Sequence, residues 1–462
     1  MKKIVASVGL VALGASGIQN ASAQELTNPD TSKPWSVGLT LRGFYDDNTG
    51  TIPNDQPLGA GQKRDSFGYE VSPTASLVWA LQQTTINLGV LYAFRYYENI
   101  PPNSTGHDDN IFTFSAGVSH AFSEQLKLRV SDSFVVGQEP DLLRAGNTFS
   151  TFERVSGDNI RNYGTIALDA QLSPQFGLGF GYDNAFYDYK AKGPSTVNAG
   201  FTDQFGFPVQ AIAPSTAGVL NRMENRAHLE GLYSLQPETK ALLGYQFTDF
   251  NYTGDELIGG YVSPFDPFLT PGEVFFPAVS SDRNNRQHTM YVGAEHTFAP
   301  ELTGSLRVGA SYTDYYNDPN TSSTWTPYVN GSLKYTYAPE SYVQGGLSYD
   351  RNATDLVGLT ASGGTSSFTT DAQSFVIFAS VNHRLTPQLF GSLIGQFQNS
   401  LYNGGAFNND REQYYLVGVN LEYRFNQYFS ANAGYNFDDL QSHNIGRTFD
   451  RNRVYIGVTA SY

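Results

Sequence analysis

The chain of 462 residues contains no cysteine. A disulfide scaffold and a thiolate metal centre are excluded at once. It is also poor in charge: Asp, Glu, Lys and Arg make up 15% of it, against about 25% in an ordinary soluble domain. The charge it has leans acidic, with 28 Lys and Arg against 43 Asp and Glu and a formal net charge of −15. A general nucleic-acid binder needs a basic face, so nucleic acid is not an expected partner. After the first twenty residues no apolar run reaches the ~18 residues of a transmembrane helix. Aromatic residues, by contrast, are plentiful at 32 Phe and 30 Tyr, which argues against disorder.

Lys2 and Lys3 precede an apolar stretch from Ile4 to Ile18, and Ala21-Ser22-Ala23 forms a small-x-small site. This pattern predicts a secretory signal peptide over 1–23. A short periplasmic segment over 24–33 and one domain over 34–462 are expected to follow.

A short punctuation recurs through that domain. It reads Leu172-Ser173-Pro174-Gln175, Leu235-Gln236-Pro237-Glu238, Phe298-Ala299-Pro300-Glu301, Tyr337-Ala338-Pro339-Glu340 and Leu385-Thr386-Pro387-Gln388. Phe122-Ser123-Glu124-Gln125 lacks the proline, and Leu81-Gln82-Gln83 and Phe425-Asn426-Gln427 are shorter relatives. Proline presets φ for a tight turn. On both sides of each turn apolar and polar residues alternate. Leu306 and Val308 oppose Arg307; Val417, Val419 and Leu421 oppose Asn420, Glu422 and Arg424. Period two marks strands with one apolar and one polar face. Longer segments rich in Asn, Asp, Gly and Pro separate the hairpins. Eight turns with a strand at either end give eighteen antiparallel strands, with sixteen as the alternative count.

A soluble sandwich would turn the apolar faces inward. A closed sheet of eighteen strands, however, encloses a lumen that side chains cannot fill. The apolar faces also end in aromatics, such as Phe112 and Phe122, Trp325 and Tyr337, or Tyr415 and Phe425. Aromatic girdles bracketing an apolar band belong to a membrane-spanning barrel. The expected fold is therefore an all-β transmembrane antiparallel β-barrel, with short periplasmic turns, long extracellular loops and a polar lumen.

Strand parity assigns the pore lining. Arg42, Arg95, Lys127, Arg129, Arg161, Arg226, Lys240, Arg307, Lys334, Arg384, Arg424 and Arg453 fall on the inward face. So do Glu70, Asp169, Asp183, Glu224, Glu230, Glu295 and Glu422. Basic residues outnumber acidic ones there, which predicts a mild lean toward anions. The surplus acid is expected in loops at the outer mouth, as at Asp46, Asp47, Asp55 and Asp65. His120, His296 and His383 share the outward parity and read as an interfacial belt rather than a metal site, since they lie on strands far apart. Only His228 among the histidines is inward, two residues from Glu230, and no nucleophile accompanies it. No enzyme, cofactor or metal is expected.

The last strand, with Val454, Ile456, Val458, Ala460 and Tyr462 alternating to a terminal aromatic, resembles the insertion signal of bacterial outer-membrane barrels. That resemblance implies recognition by the barrel-assembly machinery and a surrounding of outer-membrane lipid and lipopolysaccharide. The opening Gly38-Leu39-Thr40-Leu41-Arg42-Gly43-Phe44-Tyr45-Asp46-Asp47-Asn48 resembles the β-barrel porin type 2 group, in which a Gly-rich strand runs into a Tyr-Asp-Asp-Asn step. The group implies an outer-membrane location and a pore. General porins further imply that the third long loop folds into the channel. Here that loop carries Asp141, Arg144, Glu153 and Arg154. Loops four (190–221) and five (253–283) are unusually apolar, with Phe201, Phe205 and Phe207 in one and Tyr261, Phe265 and Phe268 in the other. Apolar loops of this length are expected to pack as a lid, a plug or a subunit contact.

The function expected is that of an outer-membrane porin for passive diffusion of small hydrophilic solutes. An export conduit for an anionic exopolysaccharide and a plugged structural or adhesion barrel are the alternatives. Association into a homo-oligomer is left open.

Overall fold

A computed structural model describes residues 33–59, 61–100, 106–138, 157–263, 273–318, 321, 323–362, 365–443 and 446–462. Eighteen strands form one antiparallel sheet. They are β1 (Trp35–Asp46), β2 (Ser66–Ala80), β3 (Thr84–Tyr97), β4 (Asp108–Ala121), β5 (Leu126–Gly137) and β6 (Asn159–Gln171). Then come β7 (Phe176–Tyr189), β8 (Arg222–Gln236), β9 (Thr239–Tyr252), β10 (Asn285–Ala299), β11 (Leu302–Asp314) and β12 (Thr324–Ala338). The last six are β13 (Ser341–Asn352), β14 (Asp371–Arg384), β15 (Leu389–Asn403), β16 (Arg411–Arg424), β17 (Phe429–Ser442) and β18 (Phe449–Ser461). Each pairs with the next. β18 then pairs with β1 from Arg453–Asp46 down to Ser461–Gly38, so the sheet closes. Closure leaves no strand edge, which is what hydrocarbon demands of a β-structure.

Seven of the eight short turns fall into two kinds, decided by the second residue of the punctuation; the first turn, 81–83, spans three residues. Where Ser, Thr or Asn stands there, its side chain caps the turn. Ser173 Oγ accepts from the amides of Gln175 and Phe176, Thr386 Oγ1 from Gln388 and Leu389, and Asn426 Oδ1 from Tyr428 and Phe429. These turns span four residues between strands. Where Gln or Ala stands before Pro-Glu, only Pro and Glu separate the strands, and a register shift precedes each turn. Glu340 then takes a positive φ of 56°. Short polar side chains offer the backbone a local partner and so lengthen the turn.

The face that carries the apolar residues points outward. Leu306 and Val308 are half-exposed, and so are Val417, Val419 and Val458, while Ile456 is 69% exposed. The opposite face is concave. Arg307 on β11 hydrogen-bonds Glu230 on β8, three strands away, across that inner side. Trp325, Phe298 and Phe122 are exposed at the strand ends, as an interfacial girdle requires. The chain is thus a transmembrane β-barrel, its periplasmic side marked by short turns and its outer side by long loops. No helix among the described residues is long and apolar enough to cross a membrane.

The long loops carry structure of their own. Ser195–Thr202 and Pro208–Ala213 in loop four pair with each other. Leu257–Val262 and Phe275–Val279 in loop five do the same, and the two hairpins join as one four-stranded sheet. A one-turn helix, α1 (Thr216–Leu220), ends loop four. Loop seven, residues 353–370, holds a small hairpin of its own.

Candidate functional site

The lumen wall is built from every second residue of eighteen strands, and its charges are mostly committed. On β1 to β3, Glu70 accepts from Arg95 Nε at 2.7 Å and Ser72 Oγ at 2.7 Å, with Arg42 at 3.5 Å. On β5 and β6, Arg129 meets Asp169 at 2.8 Å. Arg307 donates twice to Glu230, at 2.8 and 3.2 Å, and once to Glu295 at 3.3 Å; Tyr291 adds its hydroxyl to Glu230. Arg424 grips Glu422 bidentately at 2.9 and 3.0 Å, and Arg384 pairs with Glu340 at 2.9 Å. Arg161 and Arg226 are buried on the same face, beside the buried Asp183 and Glu224.

Three cations stand apart. Among the described residues no carboxylate lies within ion-pair reach of Lys127, Lys240 or Lys334. Lys127 faces Asp169 across β5 and β6, and Lys240 faces Glu295 across β9 and β10, but Arg129 and Arg307 take those carboxylates. Lys334 lies over the Tyr342 ring at 4.9 Å. All three sit near the periplasmic ends of their strands.

The outer half of the wall departs from the expected charge pattern. Asp46, expected in the acidic outer mouth, is 1% exposed and held by Arg451 through three hydrogen bonds, with Arg453 at 3.9 Å. Its neighbour Asp47 accepts from the amide and side chain of Asn452. Both lock β1 to β18. Asp109, Glu412 and Asp438 are further buried acids at the outer ends of strands. The basic surplus inferred from parity shrinks accordingly, and what remains is concentrated toward the periplasm.

His228 does lie inward, but its ring lies flat over Gly181, where a Cβ would stand only 2.0 Å away. It packs on the wall at β7. His120, His296 and His383 each hydrogen-bond a strand neighbour outside the lumen: Thr84, Thr239 and Tyr337. No group of metal-ligating side chains occurs among the described residues.

The mouth is spanned by loops four, five and seven. Helix α1 lies on the inner face of β7: Ala217, Val219 and Leu220 bury Ala185, Tyr187 and Tyr189, with Val357 of loop seven packed alongside. Loop seven leaves β13, so contact with α1 on β7 carries it across the opening. On the way Ala353 packs on Phe250 and Tyr252, and Leu356 on Ala372 and Tyr402. Two arginines brace it. Arg283 of loop five donates to the Val219 carbonyl and, at 2.6 Å, to the Thr354 carbonyl, joining loops four and seven. Arg447 in the last loop grips Glu412 at 2.6 Å and Asp355 at 3.2 and 3.3 Å. Burial pushes the Arg283 guanidinium below its usual pKa. Burial works the same way on Arg447, but Asp355, Tyr402 and Glu412 outweigh it and hold its pKa well above the usual value.

Loop seven carried no signal that parity could detect, since Ala353, Leu356 and Val357 follow no strand period and lack the aromatics that mark loops four and five. The constriction residues expected in loop three, Asp141, Arg144, Glu153 and Arg154, lie outside the described residues, as does the stretch expected to be a signal peptide. Of the terminal-strand residues, Val454, Ile456 and Val458 face outward. Tyr462 stacks with Tyr428, lies 5.9 Å from Trp35 and takes Lys33 on its ring at 3.7 Å.

Residues 274–462 match the family described as "Putative beta-barrel porin 2". No curated protein matches the chain. Among solved structures, the outer membrane protein opdK from Pseudomonas aeruginosa is 12% identical at a TM-score of 0.41, covering 93% of this chain and 99% of its own. A BenF-like porin from Pseudomonas fluorescens Pf-5 is 12% identical at 0.43, covering 93% and 99%. OccAB4 from Acinetobacter baumannii is 13% identical at 0.40, covering 94% and 100%. The closed eighteen-stranded sheet and its apolar exterior are those of a transmembrane β-barrel, and its last nine strands, β10 to β18, are similar to the porin family of that description.

Proposed function

Proceeding from a porin-like outer-membrane β-barrel, we propose that the chain is a passive diffusion channel for small hydrophilic solutes, with a mild preference for anions. The observation that carries the reading is the wall. Its polar face is closed by eighteen strands, too many for side chains to fill the space between. Toward the periplasm Arg129 and Asp169 keep more than a quarter of their side-chain surface exposed, as in a wet lumen. The pore-lining set Arg42, Arg95, Lys127, Arg129, Arg161, Arg226, Arg307, Lys334, Glu295, Glu422 and Arg424 acts mainly by holding this wall rigid and polar. The three uncommitted lysines supply the net field. A low-dielectric wall focuses such a field into the water between.

Width is set at the mouth. Loop seven, braced by Arg283 and Arg447, crosses the opening beside α1. The same roof supports a second reading, a plugged structural or adhesion barrel whose loops four and five present the binding surface. Export of an anionic exopolysaccharide is less well supported, because the outer half of the wall has its arginines already committed to carboxylates. Swelling of proteoliposomes in sugars and small organic acids of graded size separates the readings. Uptake that falls with size and favours acids over neutral sugars of equal size supports diffusion; no uptake at any size supports the plug.

A further inference from the structure

The lumen is covered at one end only. Around the girth, inward side chains near the outer end are buried: Asp46 on β1, Asp109 on β4, Arg222 on β8, Thr313 on β11, Tyr402 on β15 and Leu440 on β17. At the periplasmic end inward side chains stay open, with those of Arg384 and Arg424 38% and 43% exposed. The barrel is thus a cup open to the periplasm. A solute that crosses it needs a part that moves. The strands are not that part, since each is paired on both sides and the sheet is closed.

Two pieces of the cover meet over the lumen. Helix α1 is tied to β7: Asn221 donates to Asp188 at 2.8 Å and accepts from the Tyr189 amide at 2.6 Å, and the Ala217 amide donates to the Ala191 carbonyl at 2.9 Å. Loop seven is tied elsewhere. Arg447, between β17 and β18, grips its Asp355, and its Gly358 carbonyl accepts from the amides of Thr369 and Ala406, both at 3.2 Å. Between the two pieces the contact is slight. Val357 packs on the cluster that α1 forms with β7, and Arg283 donates to the carbonyls of Val219 in α1 and Thr354 in loop seven. Among the described residues no carboxylate pairs with Arg283. Each piece is therefore held by its own wall more firmly than by the other, and segments joined by few contacts part first.

We propose that the lumen is gated at the junction of loop seven with α1: the two meet in the shut state seen here and part when solute passes, with Arg283 as the latch between them. The proposal rests on the diffusion-channel reading and adds to it that the channel opens and shuts at this line.

The natural absence of cysteine allows a direct test. The full chain carrying Val219→Cys with Val357→Cys is linked by a short bis-methanethiosulfonate, and its current is recorded in a planar bilayer before and after a reductant. Val219→Cys with Thr354→Cys, whose backbones share Arg283, serves if the first pair fails to fold or to link. The linked protein should be silent, and the reductant should restore the current of the unmodified chain. Single-cysteine variants treated alike should keep their current. Arg283→Gln should lengthen the open periods and leave the open level unchanged, because the latch is lost and the wall is not. Equal current with and without the link, or equal loss from a single-cysteine variant, would overturn the gate and leave the diffusion reading standing. No current from the unmodified chain would overturn both, and failure of both pairs to link would overturn the junction itself.

Discussion

Single residues decide how the wall fits together, and glycine does so by leaving room. The Tyr455 ring lies over Gly434, where a Cβ would meet it at 2.3 Å, and from there its hydroxyl reaches Asn420. Tyr291 lies over Gly244 in the same way on its way to Glu230. A ring lying flat over a neighbouring strand's glycine shields the bare backbone and stiffens the sheet. Gly434→Ala should therefore destabilise the barrel by about 1–3 kcal/mol, the usual cost of overpacking. It should read as a lower temperature for losing heat-resistant mobility, while Gly446→Ala in the last loop, with open space around it but a positive φ of 78°, should cost less. The lysines are the second residue-scale test. Changing Lys127, Lys240 and Lys334 together to Gln should move the reversal potential under a salt gradient toward cations. The shift should be largest at low salt, where the Debye length is longest, and an unchanged potential would place the selectivity elsewhere.

At the scale of elements, outer-face burial and loop bracing dominate. Ile456→Arg should cost roughly 2–4 kcal/mol if it reaches mid-bilayer, and the variant should accumulate outside the membrane fraction. Losing Tyr462 removes both the terminal aromatic and the clasp with Trp35, Tyr428 and Lys33 that seals β18 to β1 at the periplasmic end. Arg447→Ala removes the guanidinium that grips Asp355 and the fully buried Glu412. Removing one partner of a buried pair costs about 3–5 kcal/mol, spent here on loop seven rather than on the strands. The expected result is a larger and noisier single-channel conductance from a barrel that still folds. The hairpins and their order were legible because period two and the turn residues are local signals. Arg307 and Glu295, close on neighbouring strands, could be placed on one face by parity. The link from Arg307 to Glu230 three strands away could not, nor could the path of loop seven, since both depend on how the closed sheet curves. Asp46 shows the same limit: it reads as a loop acid until closure brings Arg451 beside it, 405 positions along the chain.

For the molecule as a whole, closure converts a chain of low charge and negative mean hydropathy into a lipid-facing object. The apolar residues, 40% of the chain, are spread along one face of each strand instead of gathered in a core. The polar face then lines the interior, and most of its cations are spent on the wall. The roof of loops four, five and seven divides the diffusion channel from the plugged barrel, and single-channel recording in a planar bilayer tests that division most directly. With the purified protein and a potassium chloride gradient, discrete ohmic steps should appear, with a reversal potential displaced modestly toward that of chloride. A protein that inserts as a folded barrel yet passes no current, or a channel that prefers potassium, would contradict the account.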